Sequence, residues 1–281
     1  MLSYRHAYHA GNFADVMKHV VLTTLLRYMT RKESGLCYID THAGAGGYDL
    51  QSGFAERTGE SRLGIAKLWR QKETPPPVAD YLGLVRQFNR GEELTGYPGS
   101  PWFAAKLLRP QDRRVLIELH TGDFTLLENR FENDRRAYCH AKDGYRFSAG
   151  LVPPVERRGL ILMDPAYELR DEYETAVATI GKLHRQFSTG TYVLWYPILD
   201  EHRTASLRKQ FEGLGIRDVL HLALRVADRK TLPGMYGCGM VVINPAWTLR
   251  ADMELALPFL VSELGINEGA AFAIEQWAAE C

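Results

Sequence analysis

The chain has 281 residues, of which 46% are hydrophobic, 11% aromatic and 24% charged, a composition typical of a globular protein with a sizeable core. Thirty-four Lys and Arg residues balance thirty-four Asp and Glu residues, which excludes a wholly basic coat protein but not a local basic surface for nucleic acid. The four cysteines lack the spacing of a disulfide framework or zinc site, and no apolar run approaches the roughly 18–20 residues of a membrane span. We therefore expect a soluble, cytoplasmic protein without a membrane partner.

Seven short runs rich in β-branched and aromatic residues are typical of buried strands. In chain order they cover 36–40, 115–119, 137–141, 159–164, 192–196, 219–226 and 239–244. A first helix is predicted over 13–29, and helical patterns such as 171–187 and 202–214 lie between most of the strands. Strands that alternate with helices indicate a mostly parallel α/β sheet covered on both faces. The last two strands are separated by a loop too short for a helix, so we expect that pair to be antiparallel.

One interval, between the first two strands, is about 70 residues long, far more than a single crossover helix requires. Helical patterns are predicted there over 63–72 and 78–89, and a third over 101–108 with Ser100 as its N-cap. We interpret the third helix as the crossover and 47–96 as a helical insertion. The remaining segments, 1–46 and 97–281, would form the main domain.

Acidic residues and a glycine-rich turn follow the predicted strands, at the sheet edge where open α/β folds bind ligands. Asp40 ends the first strand and leads into a turn in which Gly44 would let a ligand approach the backbone closely. Glu118 at the end of the second strand is placed to accept hydrogen bonds from a ribose diol. Asp143-Gly144 after the third strand is placed to meet the amine of an adenine. For each motif alone, a plain turn or loop acid is the alternative interpretation.

The sharpest motif is the run Leu-Met-Asp-Pro-Ala-Tyr over 162–167, which follows the fourth strand. Proline fixes φ and removes a donor, so the carbonyls of Asp164 and Pro165 can be held toward a cleft. With the Asp164 carboxylate and the ring of Tyr167 they would form a receptor for a planar aromatic amine, which donates two N–H groups and stacks. The alternative interpretation is a strand-ending turn with a surface tyrosine.

Histidines and charged residues are concentrated before and along the first helix. Asp15, Lys18 and His19 share one helix face, where a cation and an imidazole suit a carboxylate or a phosphate. Four histidines come early in the chain, but neither a zinc-protease motif nor a close cysteine pair accompanies them, so we expect no metal.

Taken together, these blocks resemble the RlmJ family, bacterial methyltransferases that act on adenine N6 in large-subunit ribosomal RNA. The resemblance is carried by Y-R-H-x-x-H-A-G-N-x-A-D-V-x-K-H at 4–19, D-T-H-A-G-A-G at 40–46, Y-P-G-S-P at 97–101, R-R-G-L-I-L-x-D-P at 157–165 and L-W-Y-P at 194–197. The Asp-Pro-x-Tyr segment also resembles the D-P-P-[YFW] motif of methyltransferases that modify amino groups. Ala166 replaces the second proline of that motif, and the loop thereby loses a rigidifying element.

The resemblance implies a class I, Rossmann-like methyltransferase with a seven-stranded, mostly parallel sheet, an antiparallel last strand and a small helical insertion. It implies methyl transfer from S-adenosylmethionine to the exocyclic N6 of an adenine in 23S ribosomal RNA, by a monomer that meets free or partly assembled RNA. From the motifs and the resemblance together we predict cofactor contacts at Lys18, His19, Asp40, His42, Gly44, Ser100, Glu118, Asp143, Gly144 and Asp164. We predict catalytic roles for Asp164, Pro165 and Tyr167, and substrate contacts at Tyr4, Arg5, His6 and Tyr167.

Two other functions fit the same residues. Methylation of adenine in DNA uses the same chemistry, because the 2′-hydroxyl that distinguishes the polymers leaves no readable trace in the sequence. A non-catalytic RNA-binding or assembly protein that keeps the fold is the alternative from another class, and Ala166 is its best support. A nicotinamide-dependent oxidoreductase is disfavoured, because the third glycine of its fingerprint is missing.

Overall fold

The structure is a computed structural model that describes residues 5–169, 171–232 and 234–278. In these ranges the strands are β1 (Cys37–Asp40), β2 (Gly47–Asp49), β3 (Gly96–Pro98), β4 (Arg113–Ile117), β5 (Ala137–His140), β6 (Gly159–Met163), β7 (Thr191–Ile198), β8 (Val219–Arg225), β9 (Gly237–Ile243) and β10 (Ala271–Ala278). The α-helices are α1 (Phe13–Met29), α2 (Gly53–Thr58), α3 (Ile65–Leu68), α4 (Pro76–Asn89), α5 (Ser100–Leu107), α6 (Thr121–Phe131), α7 (Gly144–Phe147), α8 (Glu172–Gln186), α9 (Glu201–Gly213) and α10 (Leu249–Leu264).

Eight of the strands form one sheet in the spatial order β10-β8-β9-β7-β6-β1-β4-β5. The neighbours from β7 to β5 are all parallel, whereas β9 runs antiparallel to β7 and β8, and β10 runs antiparallel to β8. The seven predicted strands are all present, and the expected antiparallel pair is β8 with β9. The sequence therefore predicts the α/β class and the direction of these strands correctly.

The predicted count of seven strands is wrong, because β10 adds an eighth strand at the edge of the sheet. The side chains of β10 are half-buried or exposed, except that of Trp277, which is its one buried residue. The central strands of the main sheet read as nearly continuous apolar runs, whereas Glu275 and Gln276 interrupt the apolar run of β10, an edge strand that is only partly covered. Neither α10 nor β10 is predicted from the sequence.

Two buried clusters cover the opposite faces of the sheet. Successive side chains of a strand point to opposite faces, so in β6 Leu160 contributes to one cluster and Ile161 to the other. Helices α1, α4, α5 and α10 pack on the first face, and α8 and α9 on the second. The resulting three-layer arrangement leaves the carboxyl ends of the parallel strands as one open edge.

Helix α1 is central to the first layer and coincides with the helix predicted over 13–29. Asn12 is its N-cap, since Oδ1 of Asn12 accepts a hydrogen bond from the Asp15 amide at 2.9 Å. Every residue from Phe13 to Leu26 is buried, including the charged Asp15 and Lys18. A helix that is buried on all sides must pair its charged side chains internally, which places these residues in a low-dielectric setting.

The segment between β1 and α5 is mostly helical, and its ends are joined by the short antiparallel pair β2 and β3. Its helix α3 is shorter than the one predicted over 63–72 and follows a 3₁₀ turn over Glu60–Leu63. Buried residues such as Ile65 and Tyr81 share the core of α1. The predicted boundaries of an insertion at 47–96 stay a prediction.

Ser100 is not the N-cap of the crossover helix, as the sequence suggested. The cap position is held by Gly99, and Ser100 is the first residue of α5. The Ser100 hydroxyl donates instead to Oδ2 of Asp40 at 2.7 Å. A tertiary contact with a buried carboxylate has replaced the local capping bond that the sequence pattern favours.

Candidate active site

A cavity of about 440 Å³ lies at the carboxyl edge of the parallel strands. That volume is within the range of sites for small molecules and cofactors. The predicted site residues that line it are His6, Lys18, His19, His42, Gly44, Ser100, Glu118, Asp143, Gly144, Asp164, Pro165 and Tyr167. The structure therefore brings the glycine-rich turn after β1 and the Asp-Pro-x-Tyr turn after β6 to the same cavity.

Two predicted contacts in the described part of the chain, Asp40 and Arg5, do not line the cavity. Asp40 is fully buried, and the hydroxyls of Tyr38 and Ser100 each donate to its Oδ2 at 2.7 Å. Burial raises the pKa of Asp40 to about 6, although the two hydrogen bonds lower it. Asp40 therefore supports Ser100 from behind rather than meeting a ligand directly. Arg5 is exposed and its guanidinium lies 5.6 Å from the ring centroid of Phe54, while Tyr4 lies outside the described residues.

The turn after β1 is tied to β4 by Glu118. The backbone N–H groups of Gly44 and His120 donate to the two carboxylate oxygens of Glu118, at 2.8 and 2.6 Å. Burial raises the pKa of Glu118, although these backbone hydrogen bonds lower it. Gly44 has φ +60°, and a side chain there would overlap the hydroxyl of Tyr48. Both the positive φ and the closeness of the Tyr48 hydroxyl therefore favour glycine at this position.

The turn after β5 approaches the same cavity through Asp143 and Gly144. Oδ1 of Asp143 caps α7, since it accepts hydrogen bonds from the amides of Tyr145 and Arg146 at 2.9 and 3.3 Å. A Cβ at Gly144 would overlap the carbonyl oxygen of Thr41 in the turn after β1. Close backbone contact between two strand-end turns therefore depends on a glycine at this position. The hydroxyl of Tyr145 is buried without a hydrogen-bond partner among the described residues.

A chain of ion pairs connects the N-terminal segment to the Asp-Pro-x-Tyr turn. The ammonium of Lys18 lies 2.5 Å from Oδ2 of Asp164 and 2.8 Å from Oδ1 of Asp15. Nε2 of His6 contacts the other oxygen of Asp15 at 2.9 Å. Burial would lower the pKa of Lys18, but the two carboxylates outweigh it and raise that pKa well above its usual value.

This arrangement changes the role expected of Lys18. The sequence suggested a cation free to bind a carboxylate or phosphate, whereas its ammonium is held between Asp15 and Asp164. Asp15 and Asp164 place two carboxylates against the one ammonium of Lys18, with the imidazole of His6 on the outer oxygen of Asp15. Such a site favours a positively charged ligand over a phosphate.

The turn residues after Asp164 are held in a fixed conformation. Tyr167 has φ +54°, a left-handed value that costs a non-glycine residue about 1–3 kcal/mol and that is often kept at functional sites. Its hydroxyl donates to the carbonyl oxygen of Trp195 at 2.7 Å, and its ring centroid lies 4.4 Å from that of Tyr173. The ring is therefore positioned by its own contacts, without help from a ligand.

Two of the histidines that line the cavity, His19 and His42, are neutral at ordinary pH. Burial lowers the pKa of His42 to about 4, and its Nδ1 is hydrogen-bonded to Oγ1 of Thr41 at 2.8 Å. Burial and the charge of Lys18 lower the pKa of His19 well below its usual value. Nδ1 of His19 is hydrogen-bonded to the hydroxyl of Tyr97 at 2.8 Å, and its Nε2 has no partner in the described part of the chain.

These features fit a polar organic ligand with a cationic centre. Buried polar atoms without a partner are rare in folded proteins, and His19 Nε2 and the Tyr145 hydroxyl both belong to residues that line this cavity. Within the described ranges, no group of three or more His, Cys, Asp or Glu side chains is placed to hold a metal ion. No helix among the same residues is long and apolar enough to cross a membrane.

Sequence reasoning missed several residues of the cavity wall. Tyr145 lines it, and its position directly after the Asp143-Gly144 turn was the available signal. Leu169 and Glu172 extend the wall beyond the Asp-Pro-x-Tyr motif. Trp195, which belongs to the L-W-Y-P block at 194–197, is half-buried and also lines the cavity.

Comparison with known proteins gives a consistent result. A family model described as "Ribosomal RNA large subunit methyltransferase D, RlmJ" matches residues 33–278. Two curated relatives named "Ribosomal RNA large subunit methyltransferase J" are similar over 99% of both chains, one from Haemophilus influenzae at 44% identity and one from Escherichia coli at 43%. Among solved structures, protein LPL1258 from Legionella pneumophila is 35% identical and superposes with a TM-score of 0.89, covering 95% of this chain and 98% of that one.

Proposed function

The chain belongs to the RlmJ family, and we propose from this and from the cavity that it transfers a methyl group from S-adenosylmethionine to the exocyclic N6 of an adenine in 23S ribosomal RNA. The proposal rests on the observation that Gly44 and Asp164 line the same cavity. A turn suited to close approach by a cofactor and a carboxylate suited to an aromatic amine must lie together for a methyl group to pass between them.

The cofactor would be held by groups that the structure leaves available. S-adenosylmethionine supplies, when bound, an electrophilic methyl group on a positively charged sulfonium. Glu118 keeps lone pairs on both carboxylate oxygens for a ribose diol, and Asp143 offers an acceptor for an adenine amine. His19 and Tyr145 contribute the unpartnered polar atoms, and the acidic surplus around Lys18 suits a sulfonium.

The target adenine would be held by Asp164, Pro165 and Tyr167. The lone pair of its exocyclic amine is delocalised into the ring, so the nitrogen is a poor nucleophile. Hydrogen bonds from the amine to the Asp164 carboxylate and the Pro165 carbonyl favour a pyramidal nitrogen and stabilise the positive charge that develops on it. Lys18 contacts Oδ2 of Asp164, so Oδ1 is available for this bond. Stacking on Tyr167 holds a base that has left its helix.

Lys18 orients the Asp164 carboxylate and balances part of its charge before substrate arrives. A carboxylate fixed by an ion pair loses little conformational freedom on binding, which favours a preorganised site. Proton loss from the methylated nitrogen can follow transfer, with Asp164 or water as the acceptor. Ala166 allows the same backbone angles as proline, so we expect the turn to remain active.

Ribosomal RNA as the partner follows from the names of the relatives. We propose that the protein acts as a monomer in the cytoplasm, where free or partly assembled large-subunit RNA is available. A target adenine that is unpaired at that stage lowers the cost of bringing the base into the cavity.

Purified protein incubated with labelled S-adenosylmethionine tests the proposal. We expect methyl incorporation into deproteinised large-subunit RNA, recovered as N6-methyladenosine, and none into duplex DNA of matched length. Incorporation into DNA but not RNA would identify a DNA methyltransferase. Cofactor binding without incorporation into either polymer would indicate a non-catalytic protein.

A further inference from the structure

The N-terminal segment, residues 5–12, packs against the support segment, residues 53–65, which belongs to the helical stretch between β2 and β3. The carbonyl oxygen of Gly11 accepts a hydrogen bond from the backbone N–H of Ile65 at 2.9 Å. A Cβ at Gly64 would overlap the same carbonyl oxygen, so the two backbones are in direct contact. The support segment therefore fixes the path of the N-terminal segment as it enters α1.

Glu60, in the 3₁₀ turn of the support segment, joins the two segments through both of its carboxylate oxygens. Nδ1 of His9 lies 2.8 Å from Oε1, and Nδ2 of Asn12 donates to Oε2 at 3.0 Å. Burial raises the pKa of Glu60, but these two hydrogen bonds lower it below its usual value, so the carboxylate is ionised at neutral pH. An ionised carboxylate only accepts, so Nδ1 of His9 donates the hydrogen of its bond.

Beyond this junction the N-terminal segment runs beside the cavity. His6 lines the cavity, and Arg5 is exposed next to it in the chain. The Arg5 guanidinium lies 5.6 Å from the ring centroid of Phe54, in the support segment, and a Cβ at Gly122, on α6, would lie 3.5 Å from its Nη2. The support segment thus contacts the N-terminal segment on both sides of His6.

We propose that Glu60 is a positioning residue for RNA binding, because its bonds to His9 and Asn12 hold the N-terminal segment where Arg5 and His6 can meet the RNA. The inference rests on the proposed function, because it takes RNA as the substrate. Glu60 itself does not line the cavity, so it acts through the N-terminal segment. The helical stretch would thereby contribute to substrate binding without contacting the target adenine.

The sign of the effect separates positioning from simple charge repulsion. A carboxylate near RNA repels the phosphates, so removal of the charge alone would strengthen RNA binding. Loss of the two hydrogen bonds has the opposite effect, because a loosened N-terminal segment must be ordered again when RNA binds. A weaker affinity for RNA after removal of an anionic side chain is therefore the signature of positioning.

Glu60→Gln removes the charge and can keep both hydrogen bonds. Its amide oxygen can accept from Asn12, and its NH₂ group can donate to Nδ1 of His9 in the other tautomer of the imidazole. Asn12 itself is not free to turn, since its Oδ1 accepts from the Asp15 amide at 2.9 Å. Glu60→Ala loses both bonds, so the two variants separate the hydrogen bonds from the charge.

Trypsin cleavage after Arg5 measures the hold on the N-terminal segment in the ligand-free protein. A protease needs several extended residues on both sides of the bond, so the cut is slow while residues 6–9 are held. Mass spectrometry identifies the product that begins at His6. The assay compares wild type, Glu60→Ala and Glu60→Gln, with Glu73→Ala as the control because Glu73 is an exposed carboxylate of the same helical stretch.

Steady-state methylation of RNA by the same full-length variants measures the consequence for substrate binding. For Glu60→Ala we expect cleavage at least about fivefold faster and a KM for RNA about five- to tenfold higher, in line with the loss of two partly exposed hydrogen bonds. Its kcat should stay within about twofold, because bound RNA restores the position of the segment. Glu60→Gln and Glu73→Ala should stay within about twofold of wild type in all three quantities. If Glu60→Ala fails to fold, Glu60→Asp replaces it, because the shorter side chain cannot reach both partners.

An unchanged cleavage rate in Glu60→Ala, an unchanged or lower KM for RNA, or a fall in kcat at constant KM would each overturn the inference. So would a Glu60→Gln variant as impaired as Glu60→Ala. Failure of the wild type to methylate RNA would instead contradict the proposed function, and the cleavage rates would still decide whether Glu60 holds the N-terminal segment.

Discussion

Asp164 is both a member of a buried charge network, through its ion pair with Lys18, and a residue of the cavity wall. A sequence motif cannot distinguish these two roles. Oxygen Oδ2 of Asp164 belongs to the buried charge network, and the carboxylate also lines the cavity. A carboxylate held in this way is suited to act on the target amine, whereas Glu118 and Asp143, proposed to hold the ribose and the adenine of the cofactor, follow other strands. Substitution of Asp164 should therefore affect transfer and cofactor binding very differently.

Asp164→Asn keeps the size of the side chain and removes its charge. We expect methyl transfer to fall at least about 100-fold, in line with the loss of a positioned polar group in the transition state. The Kd for S-adenosylhomocysteine should stay within about threefold, because Lys18 keeps its partner Asp15. Labelled-methyl incorporation and calorimetry measure the two quantities. A parallel loss of both would refute this assignment of Asp164.

His42 makes a pH-dependent contribution to the stability of the fold. Its folded pKa of about 4 lies below the unfolded value of 6.5, so the unfolded state takes up the proton first as the pH falls. The contribution is complete above pH 6.5 and is lost as the pH falls toward 4. We expect the stability difference between wild type and His42→Asn to shrink by about 2 kcal/mol from pH 7.5 to pH 5. Urea denaturation at several pH values measures it, and a constant difference would show that His42 titrates normally.

At the scale of elements, the site depends on how closely α7 approaches the turn after β1. Gly144→Ala places a Cβ on the Thr41 carbonyl, so one of the two turns must move. We expect a loss of about 3 kcal/mol in the free energy of unfolding, together with weaker cofactor binding. Gly150→Ala is the matched control, since a Cβ there meets no atom within 4 Å. Equal stability of the two variants in denaturant titrations would disprove the close contact.

Strand β10 closes the edge of the sheet beside β8 and is anchored by Trp277. This side chain is 6% exposed, and its ring stacks on His221 at a centroid distance of 4.2 Å. Trp277→Ala should cost about 3–5 kcal/mol through the cavity it leaves. Trp247→Ala should change stability by less than about 0.5 kcal/mol, because Trp247 is 83% exposed. Thermal or urea unfolding compares the two, and similar losses would mean that β10 is not anchored as described.

Elements with a strong local pattern are the ones that the sequence predicts well. Helix α1 is mostly apolar and begins after a capping asparagine, so its bounds are predicted correctly. The central parallel strands β1, β6 and β7 are buried on both faces and read as continuous apolar runs. Ser100 and β10 are mispredicted because their roles depend on distant partners, namely Asp40 for Ser100 and the neighbouring strand β8 for β10.

At the scale of the whole molecule, the sequence predicts where the site lies but not which of its side chains contact one another. The rule that ligands bind at the carboxyl ends of parallel strands places Glu118, Asp143 and Asp164 at one edge, as found. The pairing of Lys18 with Asp164 joins residues 146 positions apart and follows from the packing of α1 across that edge. No local pattern encodes such a contact, nor the hydrogen bond between Tyr97 and His19.

The most direct test of the central claim is mass-spectrometric mapping of modified nucleosides in 23S ribosomal RNA from cells that lack this protein. Re-expression of the wild type should convert one adenine to N6-methyladenosine, and Asp164→Asn at equal abundance should leave that adenine unmodified. An unchanged adenine map with the wild type, or full methylation with the variant, would contradict a cavity in which Asp164 receives the target base.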